Sequence, residues 1–385
     1  MIAMPQDWNG HLVVHAHGGP FLGAPTARRI EDDLKRWAIV PRAGYAWAGS
    51  SFRQGGVAVR AAAEDTERVR GIFIRHVAQP KLTLLHGQSW GASVAAKGAE
   101  MFTAGRPYDG VLLTSGVLAG GSRAYDFRLD LRVVYQHLCR NHPRPVEPPY
   151  PLWMGLPEGS ALTNAELAKR ADECLGLGRP AAQRTREQAE RLKTITQVLR
   201  IPERSVQGHL NWATFHFQDI ARRSGGKPVF GNTDARYAGS ADDAALNAAV
   251  PRYAPDPQAL ARFADDTDPS GRIPVPVLTV HGVHDPIAFV EMQHTFAQTM
   301  ANAGRTEGLV QTFTDDSEHS YLSDATYLAL LDALRGWIES GRQPTPQSVA
   351  EGCAKARTTF PSACRFLPDY RPAPLDSRVA PRRRG

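Results

Sequence analysis

The chain has 385 residues, 42% of them hydrophobic and 22% charged, a balance ordinary for a soluble globular protein with one large core and an insertion. No apolar stretch reaches the roughly eighteen residues that span a bilayer, so an integral membrane helix is excluded. The net charge of +6 is modest, part of it lies in Arg382-Arg383-Arg384, which reads as a solvated tail, and no basic stripe interleaved with aromatics accompanies it, so nucleic-acid binding is excluded.

In chain order, Leu12-Val13-Val14-His15-Ala16-His17 predicts a strand running into Gly18-Gly19-Pro20. A second strand is expected over Tyr45 to Ser50. Val69, Ile72, Phe73 and Val77 recur at helical spacing before the apolar run Leu82-Thr83-Leu84-Leu85, giving a strand-helix-strand unit whose strands run parallel. That run leads into Gly87-Gln88-Ser89-Trp90-Gly91 and then Ala92-Ser93-Val94-Ala95-Ala96, in the order strand, sharp turn, helix. Glycines two residues either side of a serine let the backbone take a strained turn and let the helix pack closely, which holds the hydroxyl above the sheet edge. Gly110-Val111-Leu112-Leu113-Thr114 predicts another short buried strand.

Between Gly121 and Gly271 the alternation stops, and an insertion of this length reads as a mainly helical cap. Pro143, Pro145, Pro148, Pro149 and Pro151 make its first part extended and stiff. Thr163-Asn164-Ala165-Glu166 and Thr185-Arg186-Glu187-Gln188 are capping-box patterns, the second followed by Leu192, Ile195 and Leu199 at helical spacing. Trp153, Trp212, Phe215 and Phe217 are candidates for an apolar wall against a substrate, with core packing as the competing role. The alternation resumes with Val275 to Val280 and Leu309 to Thr314 as strands. Tyr327, Leu330, Leu331, Leu334, Trp337 and Ile338 then mark a closing amphipathic helix. The expected class is α/β, a mostly parallel sheet with helices on both faces. The expected division is core at 1–121, cap at 122–270, core again at 271–342 and a Pro-rich tail at 343–385.

Three strand ends carry the chemistry: Ser89 at its turn, Asp285 in His281-Gly282-Val283-His284-Asp285-Pro286, and His319 in Asp315-Asp316-Ser317-Glu318-His319-Ser320. A serine hydroxyl is a poor nucleophile at neutral pH, so a histidine takes its proton during attack and returns it to the leaving group, while a carboxylate fixes the imidazole tautomer. Asp285 is preferred to Asp315 and Asp316 because those two share the histidine's own loop. Backbone N–H groups of Trp90 and of Gly18 or Gly19 are assigned to the oxyanion; Pro20 has no N–H to offer. As an N-cap, Ser89 alone would be explained, but Asp285, His319 and the Gly18-Gly19 loop would not. His15 and His17 share a strand face with no third ligand nearby, so neither metal nor cofactor is expected. His86 reads as a hydrogen-bonded core residue, His284 as a partner of the acid and His281 as structural.

On these residues the chain resembles the α/β-hydrolase superfamily over residues 10 to 120 and 271 to 340, with Ser89, Asp285 and His319 matching its nucleophile, acid and histidine and His17-Gly18-Gly19 its oxyanion loop. Trp8-Asn9-Gly10 and Gly44-Tyr45-Ala46-Trp47-Ala48-Gly49-Ser50-Ser51 are similar to bacterial carboxylesterases and to feruloyl-esterase or tannase-like hydrolases. Where tannase-type enzymes carry cysteines beside the nucleophile and the histidine, this chain has Gln88 and Glu318. The resemblance implies a serine hydrolase that cleaves a small-molecule or oligomeric carboxylic ester through an acyl-enzyme. The alternatives are an amidase or peptidase of the prolyl-oligopeptidase kind, for whose propeller domain the chain has no room, and a catalytically silent ligand-binding protein on the same fold.

The superfamily usually places a strand pair ahead of the oxyanion strand, whereas here that strand comes almost at once, and Met1-Ile2-Ala3-Met4-Pro5 is no signal peptide. Residues are therefore expected upstream. With an export signal among them the protein is periplasmic or secreted, and otherwise cytoplasmic. Cys139, Cys174, Cys353 and Cys364 lack metal-ligand spacing and are disulfide candidates. Four cysteines allow three connectivities, of which local pairing is the simplest, and disulfides imply an oxidising compartment.

Overall fold

The structure, a computed structural model, describes residues 1–102 and 105–382. It divides into two compact units, Met1–Gly120 with Asp266–Pro374 and Gly121–Asp265 with the chain from Leu375 onward.

Among the described residues the first unit holds β1 (Ile2–Ala3), β2 (His11–Ala16), β3 (Ala46–Gly49), β4 (Leu82–Gln88), β5 (Gly110–Thr114), β6 (Val277–Gly282) and β7 (Leu309–Thr314). They form one seven-stranded sheet of order β1-β3-β2-β4-β5-β6-β7. β1 pairs antiparallel with β3, and the pairings from β3 to β7 are parallel. Every residue of β2 to β6 is buried, as parallel strands with helices on both faces require.

Successive side chains take opposite faces of the sheet. Leu12, Val14, Leu85, Val111 and Leu113 pack with Phe73, with Ala92, Ala95, Ala96 and Ala99 of the helix Trp90–Met101, and with Phe296 and Met300 of the helix Met292–Asn302. Val13, Leu84, Leu112 and Val280 pack on the other face with Trp37 and with Tyr327, Leu330, Leu331, Leu334 and Trp337 of the helix Asp324–Ser340. The helix Val59–His76 is where the spacing predicts one, but its buried stripe runs through Ala62, Thr66, Val69 and Phe73. Ile72 lies about 100° round the helix from Phe73 and is 45% exposed, and Val77 lies beyond the last turn.

The residues after 342, expected as a tail, include a helix, Pro346–Ala356, opened by a capping box between Thr345 and Ser348. Cys353 of this helix packs with Ala356 on Ala325 and Ala329 and is bonded to Cys364. Past that disulfide the chain runs along β7: Leu367 N–H donates to Phe313 C=O and Asp315 N–H to Arg365 C=O, both at 2.8 Å.

The second unit is mainly helical, with Phe127–Cys139, Asn164–Leu175, Arg186–Leu199, Glu203–Asn211 and Phe217–Arg223 joined in part by a π-helical turn, Trp212–His216. Thr185 and Gln188 complete the expected capping box. Thr163 accepts the Glu166 N–H but receives no return bond, because the Glu166 carboxylate is turned toward Arg170 at 3.5 Å and Arg144 at 3.9 Å. Cys139–Cys174 ties the first two of these helices together. Arg382, expected in a solvated tail, is instead 9% exposed and pairs with Asp130 at 2.7 Å and Asp126 at 3.5 Å, since two buried carboxylates need a cation. Arg383 and Arg384 lie outside the described residues.

The two disulfides differ in the chain they constrain, 35 residues for Cys139–Cys174 and 11 for Cys353–Cys364. Loop-closure entropy sets upper values of about 4 and about 3 kcal/mol for opening them by paired Cys→Ser replacement. Urea titration of the two double variants is expected to show the larger loss for the Cys139 and Cys174 pair.

Candidate active site

β4 ends at Gln88 and the next helix begins at Trp90, so one residue, Ser89, makes the turn. Its backbone sits at φ 58°, ψ −122°, a conformation that costs a non-glycine residue about 1–3 kcal/mol and persists only where the surroundings over-determine it. The surroundings are glycine contacts. A Cβ on Gly87 would lie 2.1 Å from the Gly91 carbonyl oxygen, and one on Gly91 would lie 2.1 Å from that of Ala16 and 2.5 Å from that of His17. Ser89 N–H donates to Thr114 C=O at 2.9 Å, and Ser89 C=O accepts from Ala92 and Val117 N–H at 3.1 and 3.2 Å. β2 pairs Ala16 with Gly87, so the loop after β2 leaves the sheet beside this turn, at the carboxyl edge where open α/β sheets bind ligands.

Asp285 follows β6, and His319 lies between β7 and the helix Asp324–Ser340. Ser89 Oγ is 2.7 Å from His319 Nε2, and His319 Nδ1 is 2.7 Å from Asp285 Oδ2. Asp285 is buried, and its other oxygen accepts N–H groups of Ile287 at 2.8 Å and Ala288 at 3.2 Å. Burial alone pushes this carboxyl up, but the imidazoles of His319 and His281 outweigh it and hold the group well below the usual carboxylate range. An ionised Asp285 fixes the proton on His319 Nδ1 and leaves Nε2 free to accept the Ser89 proton.

Asp315 and Asp316 are engaged elsewhere, with His284 at 3.1 Å and Arg365 at 2.7 Å. His284, expected to support the acid, is therefore on the surface. His281 takes that place: Nε2–H donates to Ala288 C=O at 2.8 Å and faces Asp285 Oδ2 at 3.4 Å, while Nδ1 accepts from Gln293 at 3.0 Å. The chain doubles back through the bond from Asp285 N–H to Gly282 C=O, which brings a residue of β6 against the carboxylate four positions on.

Trp90, first in its helix, has an N–H with no intrahelical partner. A Cβ on Gly18 would lie 2.4 Å from Gln88 Oε1, so a side chain there would have to displace the Gln88 carboxamide. His17 donates from Nδ1 to Gly18 C=O at 2.7 Å, and burial brings its pKa down to about 4, which keeps it neutral at ordinary pH. His15 stays in β2, bonded to Asp33 at 3.0 Å and to His86 at 2.9 Å, and His86 reaches Thr114 at 3.2 Å.

A cavity of about 340 Å³ adjoins Trp90 and is lined also by His17, Phe21, Phe52 and Arg29. The Phe52 ring meets that of His17 at 4.2 Å and that of Trp90 at 5.8 Å between centroids. Neither Phe21 nor Phe52 stands out in the sequence. Both lie in loops without periodicity, and Phe52 reaches the site through a left-handed backbone, φ 61°. Trp153, Trp212, Phe215 and Phe217 belong to the second unit. There Phe217 is buried against Phe230, ring centroids 5.0 Å apart, and Trp212 stacks on His216 at 4.6 Å.

The glycine contacts and the buried Asp285 carboxylate each yield a test. Gly91→Ala is expected to destabilise by about 1–3 kcal/mol as an overpacked contact. Gly71→Ala, in a helix interior with nothing within 4 Å of the new Cβ, is expected to stabilise by about 0.5–1 kcal/mol; urea unfolding reads both. The depressed folded pKa of Asp285 means that its stabilisation is complete above its unfolded value near ~4 and is lost as pH falls through the folded value. Between pH 6 and pH 3 the wild type is therefore expected to lose more thermal stability than Asp285→Asn, whose side chain does not titrate.

No family model matches the sequence, and no curated protein matches it. Solved structures similar to it include an alpha/beta hydrolase fold protein from Nakamurella multipartita, 13% identical over 93% of this chain and 95% of that one, with a TM-score of 0.36. A rice cell wall degrading esterase from Xanthomonas oryzae is 13% identical over 87% of this chain and 80% of its own, with a TM-score of 0.38. Feruloyl esterase B from Aspergillus oryzae is 15% identical over 89% and 77%, with a TM-score of 0.40. By its own strand order, the strained serine turn after β4 and the loops that follow β6 and β7, the chain has the α/β-hydrolase fold.

Proposed function

We propose that the protein is a serine hydrolase that cleaves carboxylic esters through an acyl-enzyme. The observation that carries this reading is the continuous relay from Ser89 Oγ through His319 to buried Asp285, with both contacts at 2.7 Å. In the proposed reaction Ser89 Oγ attacks the ester carbonyl as its proton passes to His319 Nε2, and the negative charge of Asp285 stabilises the imidazolium. The N–H groups of Trp90 and of Gly18 or Gly19 hold the oxyanion, a contribution of about 3 kcal/mol each. As the tetrahedral intermediate collapses, the bond to the alcohol breaks and His319 returns the proton to the leaving oxygen. Water, deprotonated by His319, then attacks the acyl carbonyl and releases the acid and free Ser89.

The aromatic cavity beside Trp90 supports an apolar acyl group as one half of the substrate. The two disulfides support an oxidising compartment, periplasmic or external.

Hydrolysis of p-nitrophenyl acetate, butyrate and octanoate, with phosphonate labelling read by intact mass, tests the reading. Wild type is expected to turn over and take one label, and Ser89→Ala to do neither. Ser89→Ala or His319→Ala should cost about a millionfold in kcat and Asp285→Ala about ten-thousandfold. From acetate to butyrate, kcat/KM should rise by up to about fourfold per methylene that enters the cavity. Labelling without ester turnover would move the substrate class to amides; neither signal would leave a silent binding protein.

A further inference from the structure

The loop that carries His319 has no helix or strand between β7 and the helix at Asp324. Its backbone must be held by side chains from elsewhere. Two consecutive carbonyls are so held: His319 C=O accepts from Gln88 Nε2 at 3.0 Å, and Ser320 C=O accepts from Tyr327 Oη at 3.1 Å. Gln88 is 2% exposed and immediately precedes Ser89, so the backbone that carries the serine also sends a strut to the backbone that carries its histidine, 231 positions away. The other end of the same carboxamide lies against Gly18, where Oε1 would be 2.4 Å from an added Cβ. One side chain therefore touches the serine turn, the histidine loop and the loop after β2.

Building on the relay described above as a serine hydrolase site, we propose that Gln88 is a positioning residue that sets the approach of His319 to Ser89. The residue type is dictated by its partner. A carbonyl oxygen needs a donor, which a carboxamide supplies and a carboxylate does not. Met has a similar length and fills the space without donating. Asp285 fixes the rotation of the imidazole ring through Nδ1, whereas Gln88 fixes the position of the main chain from which that ring projects. Arg365 to Asp316 and His284 N–H to Asp316 C=O act three residues upstream of His319, and Ser323 Oγ to Ala363 C=O acts four residues downstream.

The test compares wild type, Gln88→Met and Gln88→Glu in phosphonate labelling rate, kcat, KM, thermal melting and hydrogen exchange of residues 315–323. A displaced histidine is expected to lower labelling and kcat together by about 10- to 100-fold in Gln88→Met. KM should stay within about threefold, because the interaction serves the transition state and not substrate binding. Exchange in the loop should quicken while the melting curve shifts little. Gln88→Glu should be as poor at neutral pH, but its kcat relative to wild type should rise as pH falls, because a protonated carboxyl can donate to His319 C=O where the carboxylate cannot. Labelling of both variants at the wild-type rate, a change in KM alone, or a pH-independent ratio for Gln88→Glu would overturn the proposal. Unchanged loop exchange in Gln88→Met would overturn the strut even if wild type failed to label, an outcome that would separately sink the serine hydrolase reading.

Discussion

No side chain fits between Gly87, Gly91 and the carbonyls of Ala16 and His17, and the first unit is arranged around that contact. Because the turn is pressed against the end of β2, Ser89 is held in a backbone conformation that a serine would not adopt if left to itself. The close approach continues along the helix that follows, where Ala92, Ala95, Ala96 and Ala99 bring it down onto the sheet. A residue with a larger side chain at any of these points would lift the helix and relax the turn. The strain at Ser89 is thus maintained by packing spread over two strands and a helix, and the backbone bonds of Ser89 to Thr114 and Val117 add a third side.

The partners of Ser89 depend on a different kind of support. Asp285 is ionised in a buried place because two backbone N–H groups and two imidazoles face it: the N–H groups come from the reverse turn after β6, one imidazole from β6 itself and the other from the loop after β7. His319 sits on irregular chain, and its position is inherited from its attachments. Gln88 reaches it from the end of β4 and Tyr327 from the closing helix. The segment after Cys364 lies along β7 and ties Asp315 and Asp316 through Arg365. The disulfide Cys353–Cys364 anchors that segment to the helix Pro346–Ala356, so the carboxyl-terminal part of the first unit buttresses the loop that bears the histidine.

The strands from β2 to β7 and the principal polar residues were legible because each has a local signature, whereas the two-residue β1, which pairs antiparallel with β3, is too short to carry one. Apolar runs of strand length end at Ser89, Asp285 and His319, and glycines bracket the serine at the spacing its turn requires. The two glycines before Pro20 marked the loop after β2 for the same reason. Where local pattern misled, a neighbour in space decided the outcome. Ile72 has helical spacing but lies on the wrong side of its helix, and Glu166 has the position for a capping box but is drawn to two arginines. His281 and not His284 meets the acid, because a reverse turn folds β6 back over Asp285. Arg382 was read as solvated from the company of its neighbours in sequence, and is buried by two carboxylates more than 250 positions away.

What the sequence by itself determined is the class of the fold, the order of its strands along the chain and the residues that can meet at the strand ends. Backbone preference, periodicity and turn chemistry act within a few residues, and these features are recorded at that range. Only the tertiary structure decided that Asp285 is the carboxylate His319 reaches, that Phe52 lines the space beside Trp90 and that Gln88 braces the histidine loop. Those contacts join segments far apart in the chain, and their geometry follows from how the sheet stacks its loops at one edge, a property that no local stretch of residues contains.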